Sequence, residues 1–317
     1  MSITVSDSGD FVLFAHWASS LRGEAKVSNR NLIIKLPRRG VVLILPPLFE
    51  MSLYLALARP WFEFRRARVR RQVLAQSGPA TLGRADWSRS LKDPTGFYLD
   101  TYRWFHQHLP PALADHRTYF ASAGRGFGED AFHVLWAQLV TELKPASFLE
   151  IGVFRGQVVT LVALLSRLAG QLCEVVGISP FTPAGDSVSR YATDVDYLAD
   201  TLQNFDHFGL AKPRLLRAYS TDPQAVALIE SRPWDLIYID GSHDYEVVVR
   251  DWEVCSRSVR PGGVIVLDDS GLTTAFRPPC FATGGHPGPS RLASELDRSR
   301  FREVLQVGHN RAFERIA

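Results

Sequence analysis

From Ser147 onward, short apolar runs alternate with longer stretches of helical spacing. Phe148 to Ile151, Glu174 to Ile178, Arg214 to Ala218, Leu236 to Ile239 and Val264 to Leu267 read as strands. Between them, Gln157 to Ala169, Asp194 to Phe208, Pro223 to Glu230 and Tyr245 to Val259 read as helices. Gly170 and Gly209 follow two of these helices, and Gly170 is a natural C-cap. Asp222 and Pro223 supply an N-cap and a proline at the first helical position. Strand and helix in alternation predict a parallel sheet with crossover helices. A helix over Ser290 to Asp297 follows. Arg302 to Val307 and Arg311 to Arg315 then flank Gly308-His-Asn310, a turn that favours an antiparallel hairpin at the end of the sheet.

The expected class is therefore α/β: a Rossmann-like, doubly wound, seven-stranded sheet with a C-terminal antiparallel hairpin. Helices over Asp100 to Gln107 and Glu129 to Leu143 lead into it. The preceding chain has a different texture. Phe11 to Ala15, Asn31 to Leu36 and Val41 to Leu45 read as strands, and Glu50 to Ala58 and Glu63 to Ala75 as helices. Gln76-Ser-Gly-Pro79 reads as a linker. This divides the chain into a small α+β accessory region, 1–83, and a main domain, 84–317. There is no internal repeat or low-complexity tract.

Val41 to Phe64 is strongly apolar, but Pro46, Pro47, Glu50, Arg59 and Pro60 interrupt it. A membrane-spanning helix needs about 20 mostly apolar residues, and this stretch fails that test. It reads first as a buried hairpin and helix. Its basic flanks, Arg38-Arg39 and the cluster from Arg65 to Arg71, also suit peripheral contact with an anionic membrane. The net charge of +3 gives no bulk argument for nucleic acid. Hydrophobic content of 46% is that of an ordinary globular chain. Cys173, Cys255 and Cys280 form no CxxC pair and no even framework, which points to a reduced, cytoplasmic setting. No basic n-region with an apolar h-region opens the chain, so no secretory signal is expected.

The chemistry-bearing residues end the apolar runs. Trp234 to Ile239 delivers Asp240 and, three residues later, His243. Pro261-Gly-Gly-Val-Ile-Val-Leu-Asp-Asp269 delivers Asp268 and Asp269. If both runs are neighbouring parallel strands, three carboxylates and an imidazole meet at one rim. That set suits a hard divalent cation, with His243 as a general base beside it. Asp268 alone could instead cap a loop. Asp244 suits the cap of the helix starting at Tyr245, and Tyr245 and Trp252 suit packing. His207 and His286 read as surface or loop residues. The long Gly- and Pro-rich stretch from Ser270 to Pro289 reads as a loop that shapes the substrate site.

Glu150-Ile-Gly-Val-Phe-Arg-Gly156 joins the first core strand to its helix. Gly152 and Gly156 allow close backbone approach and a tight turn, and a purely structural glycine turn would look the same. A dinucleotide G-x-G-x-x-G from Gly152 would need glycine where Phe154 and Gln157 stand. The loop resembles motif I of class I S-adenosylmethionine-dependent methyltransferases. Together with the runs ending at Asp240 and Asp269, it is similar to the branch of metal-dependent sugar O-methyltransferases and cephalosporin-hydroxylase-like proteins. The likeness covers about Ser147 to Ala317.

That resemblance implies S-adenosylmethionine as cofactor, held by Glu150, Gly152 and Gly156, with Ser220 near the adenine and Asp240 also in contact. It implies Mg²⁺ on Asp240, Asp268 and Asp269, His243 as base, and a hydroxyl of a sugar-containing small molecule or glycan as acceptor. The family's ribose-binding acid is replaced by Ser179, for which Asp186 is the expected substitute. The sequence leaves a homo-oligomer open. Two other readings remain: an NADP-dependent oxidoreductase on a similar sheet, for which the Asp268-Asp269 pair has no role, and a non-catalytic binding module that keeps the fold.

Overall fold

The computed structural model describes residues 24–28, 31–35, 42–45, 49–122 and 124–316. The chain divides into two compact units, Met1–Arg68 and Val69–Ala317. In the first, β1 (Glu24–Ser28), β2 (Asn31–Lys35) and β3 (Val42–Leu45) form an antiparallel sheet in that order. The expected strand over Phe11 to Ala15 lies outside the described residues, and β1 was not foreseen. One helix, α1 (Phe49–Leu74), replaces the two expected around Pro60. Proline in a helix removes a hydrogen bond and costs about 3 kcal/mol. Here the Leu-, Ala-, Glu- and Arg-rich flanks, all good helix formers, carry the helix through it. Among the described residues no helix is long and apolar enough to cross a membrane.

The second unit opens with helices. A 3₁₀ turn (Arg84–Asp86) leads into α2 (Trp87–Lys92), α3 (Pro94–His108), α4 (Pro111–Ser122) and α5 (Asp130–Leu143). The sheet and its crossovers then follow: β4 (Ser147–Ile151), α6 (Gln157–Leu168), β5 (Glu174–Ser179), α7 (Tyr197–His207), β6 (Arg214–Arg217), α8 (Pro223–Ile229), β7 (Trp234–Ile239), α9 (Tyr245–Ser258), β8 (Val259–Leu267), α10 (Pro287–Glu295), β9 (Phe301–Val307) and β10 (Asn310–Arg315). The seven strands lie in the order β6-β5-β4-β7-β8-β10-β9. β6 through β8 are parallel, and β10 runs antiparallel to both β8 and β9.

This is the expected doubly wound sheet with its terminal hairpin. β4 is buried along its whole length, as a parallel strand covered on both faces should be. Side chains of the central strands alternate between two cores. Phe148, Leu236, Tyr238, Val264 and Val266 join the α5 and α6 layer, with Leu135, Leu139 and Leu161. Leu149, Ile151, Ile237, Ile239, Ile265 and Leu267 join the α8, α9 and α10 layer, with Leu228, Trp252 and Leu292. A one-residue slip would exchange the two sets.

Topology places the site. Strand order reverses between β4 and β7, because the chain crosses first toward β5 and β6 and later toward β8. Such a switch point opens a crevice at the C-terminal ends of the strands. The hairpin contributes to the same rim. Arg311, at the start of β10, pairs with Leu267 at the end of β8. The two-residue turn before it, Gly308-His309, with Gly308 at φ 62°, therefore sits beside the last residues of β8.

Candidate functional site

Each strand end is pinned to its neighbour by one further backbone bond. Gly152 N–H donates to Ile178 O (2.9 Å), Asp240 N–H to Ile151 O (2.8 Å) and Asp268 N–H to Ile239 O (3.0 Å). These bonds carry the ladder one residue past the strands and fix where the site's side chains begin. Gly152, at φ 95°, is needed by the chain itself: a Cβ there would lie 1.8 Å from Asp240 O. Gly156, at φ 80°, caps α6, and its Cβ would lie 2.6 Å from a methyl of Thr201. Both glycines thus answer to packing within the protein.

Two clefts meet at Asp240. The smaller, about 310 Å³, is lined by Gly152, Phe154, Ser179, Asp186, Ser220 and Asp240. The larger, about 500 Å³, is lined among others by Glu150, Gly152, Asp240, His243, Asp268 and Asp269. Gly156 lines neither of them. Glu150 is 3% exposed and its Oε2 has no hydrogen-bond partner. Burial pushes its carboxyl up to about 8. A buried acceptor left open at a cleft wall is a place for a donor on a ligand. Ser220 lies beside the buried Asp251 carboxyl, which burial raises to about 6.

Asp186 is a correction to the expected ribose role. Its Oδ2 accepts from His243 N–H (2.7 Å) and faces His243 Nδ1 (2.6 Å). Its Oδ1 accepts from the amides of Val188 (3.0 Å) and Ser189 (2.7 Å). Burial would raise this carboxyl, but these donors hold it at about 2. With both oxygens engaged, it is a clamp on His243 and has no oxygen to spare for a ribose. Asp244 stands at the N-cap of α9 as expected, but its carboxylate takes the Ser187 hydroxyl and caps no amide.

His243 Nε2 lies 2.9 Å from Asp269 Oδ2, so both ring nitrogens face carboxylates. Burial would lower this imidazole, but Asp269 and Asp186 raise it to about 9. In this arrangement it already carries its proton and cannot accept another. Release of Asp269 is the condition for a basic role.

The acids behave as a group. Burial, then Asp268 beside it, pushes the Asp240 carboxyl well above the usual range. Burial would raise Asp268 as well, but the charge on His309, with Nε2 3.4 Å away, holds it at about 2. The two therefore share one proton, as close like charges must. Asp269 holds φ 48°, outside the ordinary range for a residue with a side chain. Its carbonyl accepts from His286 N–H (2.8 Å) and from Ser290 Oγ (3.1 Å), which fold the loop from Ser270 to Pro289 back over the rim. Gly288 makes that return passable, because a Cβ there would lie 2.0 Å from His243 O.

Two histidines of the site were not recognised from sequence. His286, expected at the surface, has its ring 4.3 Å from that of His243 and its Nε2 3.7 Å from Asp269 Oδ2. The sequence shows it only as a surface or loop residue, because only the fold of that loop returns it to the rim. His309 is 7% exposed, with Nε2 3.4 Å from Asp268 Oδ1 and 3.6 Å from Asp269 Oδ1. The turn Gly308-His-Asn310 was legible, but the insertion of β10 beside β8 was the missing step. His207, by contrast, stacks on Tyr119 at 4.1 Å, away from the rim.

Residues 149–270 match the family model described as a methyltransferase domain. The chain is 27% identical over 141 residues to uncharacterized protein R132 of Acanthamoeba polyphaga mimivirus, an alignment covering 44% of this chain and 58% of that protein's length. Among solved structures it is similar to the methyltransferase PaMTH1 of Podospora anserina bound to SAH, at 17% identity and a TM-score of 0.46, over 66% of this chain and 89% of that one. It is also similar to a Bacillus cereus O-methyltransferase in complex with SAH, at 16% identity and a TM-score of 0.44, over 71% of this chain and all, 100%, of that one. The strand order and the glycine loop at the switch point lie within the stretch, residues 149–270, that matches the methyltransferase-domain model.

Proposed function

We propose that the protein transfers a methyl group from S-adenosylmethionine to a hydroxyl of a sugar-containing small molecule or glycan, with a divalent cation at the rim. The observation that carries this reading is the position of Asp240 in the wall shared by the two clefts. On one side are the glycine loop, Ser179 and Ser220; on the other, His243, Asp268 and Asp269. A donor and an acceptor held in those clefts would meet there, and most of the catalysis would be positioning.

The residues fit both bound groups. The open Glu150 Oε2 suits the amino end of the donor's methionine part, and Ser179 and Ser220 line the other cleft where its nucleoside would lie. S-adenosylmethionine supplies the methyl group on a sulfonium. Asp268 and Asp269, with Asp240 beside Asp268, offer carboxylate oxygens of the kind a hard cation such as magnesium takes. Asp268 Oδ1 is buried and makes no hydrogen bond, with His309 Nε2 3.4 Å away. A cation there makes a neighbouring hydroxyl a stronger acid.

The chain's own residues complete the chemistry. Neutralising Asp269 removes one of the two carboxylates that keep His243 charged. Asp186 still holds Nδ1–H, so Nε2 becomes the free, basic nitrogen. It then takes the acceptor hydroxyl's proton as the oxygen bonds the methyl carbon and the carbon–sulfur bond breaks. The balanced products are the methyl ether, the thioether form of the donor and one proton.

Radiolabelled methyl transfer to a panel of hydroxyl-bearing glycosides tests this. Label should enter a hydroxyl, be lost after chelation and return with a divalent ion. S-adenosylmethionine should raise the melting temperature while NADPH leaves it unchanged. Full activity after chelation would remove the metal, and stabilisation by NADPH instead would favour an oxidoreductase.

A further inference from the structure

His309 comes from the terminal hairpin, and three features of its placement go together. Its ring is 7% exposed and packs edge-on against Phe132 at 4.7 Å. Its Nδ1 is fixed by the Thr283 hydroxyl (3.0 Å) and the Thr283 carbonyl (3.3 Å), and a carbonyl can only accept, so Nδ1 carries the hydrogen. Nε2 is thereby aimed between two carboxylates, 3.4 Å from Asp268 Oδ1 and 3.6 Å from Asp269 Oδ1, and a cation bound there would take the place of its proton.

Those last distances exceed the roughly 2.7–2.9 Å of a strong charge-assisted hydrogen bond. Asp268 Oδ1, one of the three atoms, is buried and makes no hydrogen bond. A ring nitrogen fixed on its far side by a backbone carbonyl is the usual support of a metal-bound histidine. Asp268, Asp269 and His309 can each place one ligand atom within 4.8 Å of the others.

We propose that His309 is a ligand of the rim cation, so that the site is a mixed imidazole–carboxylate one that prefers a transition ion such as manganese, iron, cobalt or zinc to magnesium. The inference rests on the reading above that a divalent cation binds at the rim. Imidazole suits those ions, whereas magnesium and calcium favour all-oxygen shells. The hairpin that closes the sheet then also sets the choice of metal.

Calorimetric titration of the chelator-stripped protein with Mn²⁺ and Mg²⁺ tests this, alongside pulsed electron paramagnetic resonance of the Mn²⁺ form. Mn²⁺ should bind at least about tenfold more tightly than Mg²⁺, with a directly coordinated nitrogen in the spectrum. His309→Gln should weaken Mn²⁺ by roughly 10- to 100-fold, leave Mg²⁺ nearly unchanged and remove the nitrogen signal. If His309→Gln does not fold, the wild-type spectrum still decides, since absence of coordinated nitrogen overturns the proposal. Equal binding of both ions, unmoved in the variant, overturns His309 as a ligand while the rim cation stands. Binding of neither ion overturns both.

Discussion

The second unit holds two groups of buried histidines, and they sit at opposite ends of the imidazole's range. In the helical layer, His116 and His133 are 0% and 1% exposed and face each other, Nδ1 to Nε2, at 3.0 Å. Burial, with further lowering from Arg117, brings His133 down to about 3, and burial and His133 lower His116 as well. At the sheet rim, His309 is almost as buried, yet Asp268 and Asp269 overcome that burial and raise it to about 10. His243 goes the same way. Burial alone makes an imidazole a neutral packing group, and adjacent carboxylates make it a cation. A residue's chemistry here is set by its neighbours more than by its depth.

The sharpest way to break this contrast is to remove the acids. Asp268→Asn takes away the partner that holds His309 charged and an oxygen of the rim site. Methyl transfer should fall by more than about 100-fold, and metal binding measured by calorimetry should disappear with it. A variant that keeps both would detach Asp268 from the chemistry. The next effect is at the imidazole itself. His243→Gln should lower kcat by roughly 10²- to 10⁴-fold, the usual worth of a general base, with the affinity for S-adenosylmethionine retained. A variant whose loss lies wholly in cofactor affinity would assign His243 to binding.

The two histidine groups were not equally legible in the sequence. His243 could be read because it follows an apolar run at fixed spacing, and Asp240, Asp268 and Asp269 end such runs. The parallel register then puts Ile239 beside Leu267 and brings those ends together. Strand existence was legible for the same reason: runs such as Phe148 to Ile151 are buried on both faces and carry little polar interruption. His309 and His286 were hidden because their approach depends on long-range pairing, of β10 with β8 and of the returning loop with Asp269 O. Asp186 was read as a ribose ligand because nothing local shows that its loop closes on the His243 amide. The sequence misses α2 because it has only 6 residues, and α4 because its 12 residues bury only Leu113, His116 and Phe120, too few to mark an apolar face. Continuous helix through Pro60 went unforeseen because one proline is a weaker signal than the helix formers around it.

The helical-layer pair offers a smaller effect, visible only as a difference. His133 has a folded value of about 3 against an ordinary 6.5, so the folded protein refuses a proton that the unfolded chain takes up. Its contribution is present above pH 6.5 and is lost as pH falls toward 3, by roughly 1.4 kcal/mol per pH unit. Glu150, raised to about 8, acts oppositely, since the folded state holds its proton and gains stability as pH falls below 8. Wild-type acid stability alone therefore mixes the two. Replacing both members, His116→Leu with His133→Leu, removes the histidine contribution and leaves Glu150 in place. Denaturant melts at pH 6.5 and pH 5 should then show wild type losing at least about 2 kcal/mol relative to the double variant, the share of His133 alone, with His116 adding to it.

The same pair gives the smallest expected effect at pH 7. His133→Leu alone strands the His116 Nδ1 that its partner satisfied at 3.0 Å. An orphaned buried polar atom costs about 1–3 kcal/mol, whereas replacing both partners with apolar groups of similar shape is nearly neutral. The single variant should therefore be less stable than the double at pH 7, and the order should hold in either denaturant. Equal losses in single and double variants would mean that the ring–ring bond contributes nothing and that the pair is held by packing against Phe120 and Phe208 alone.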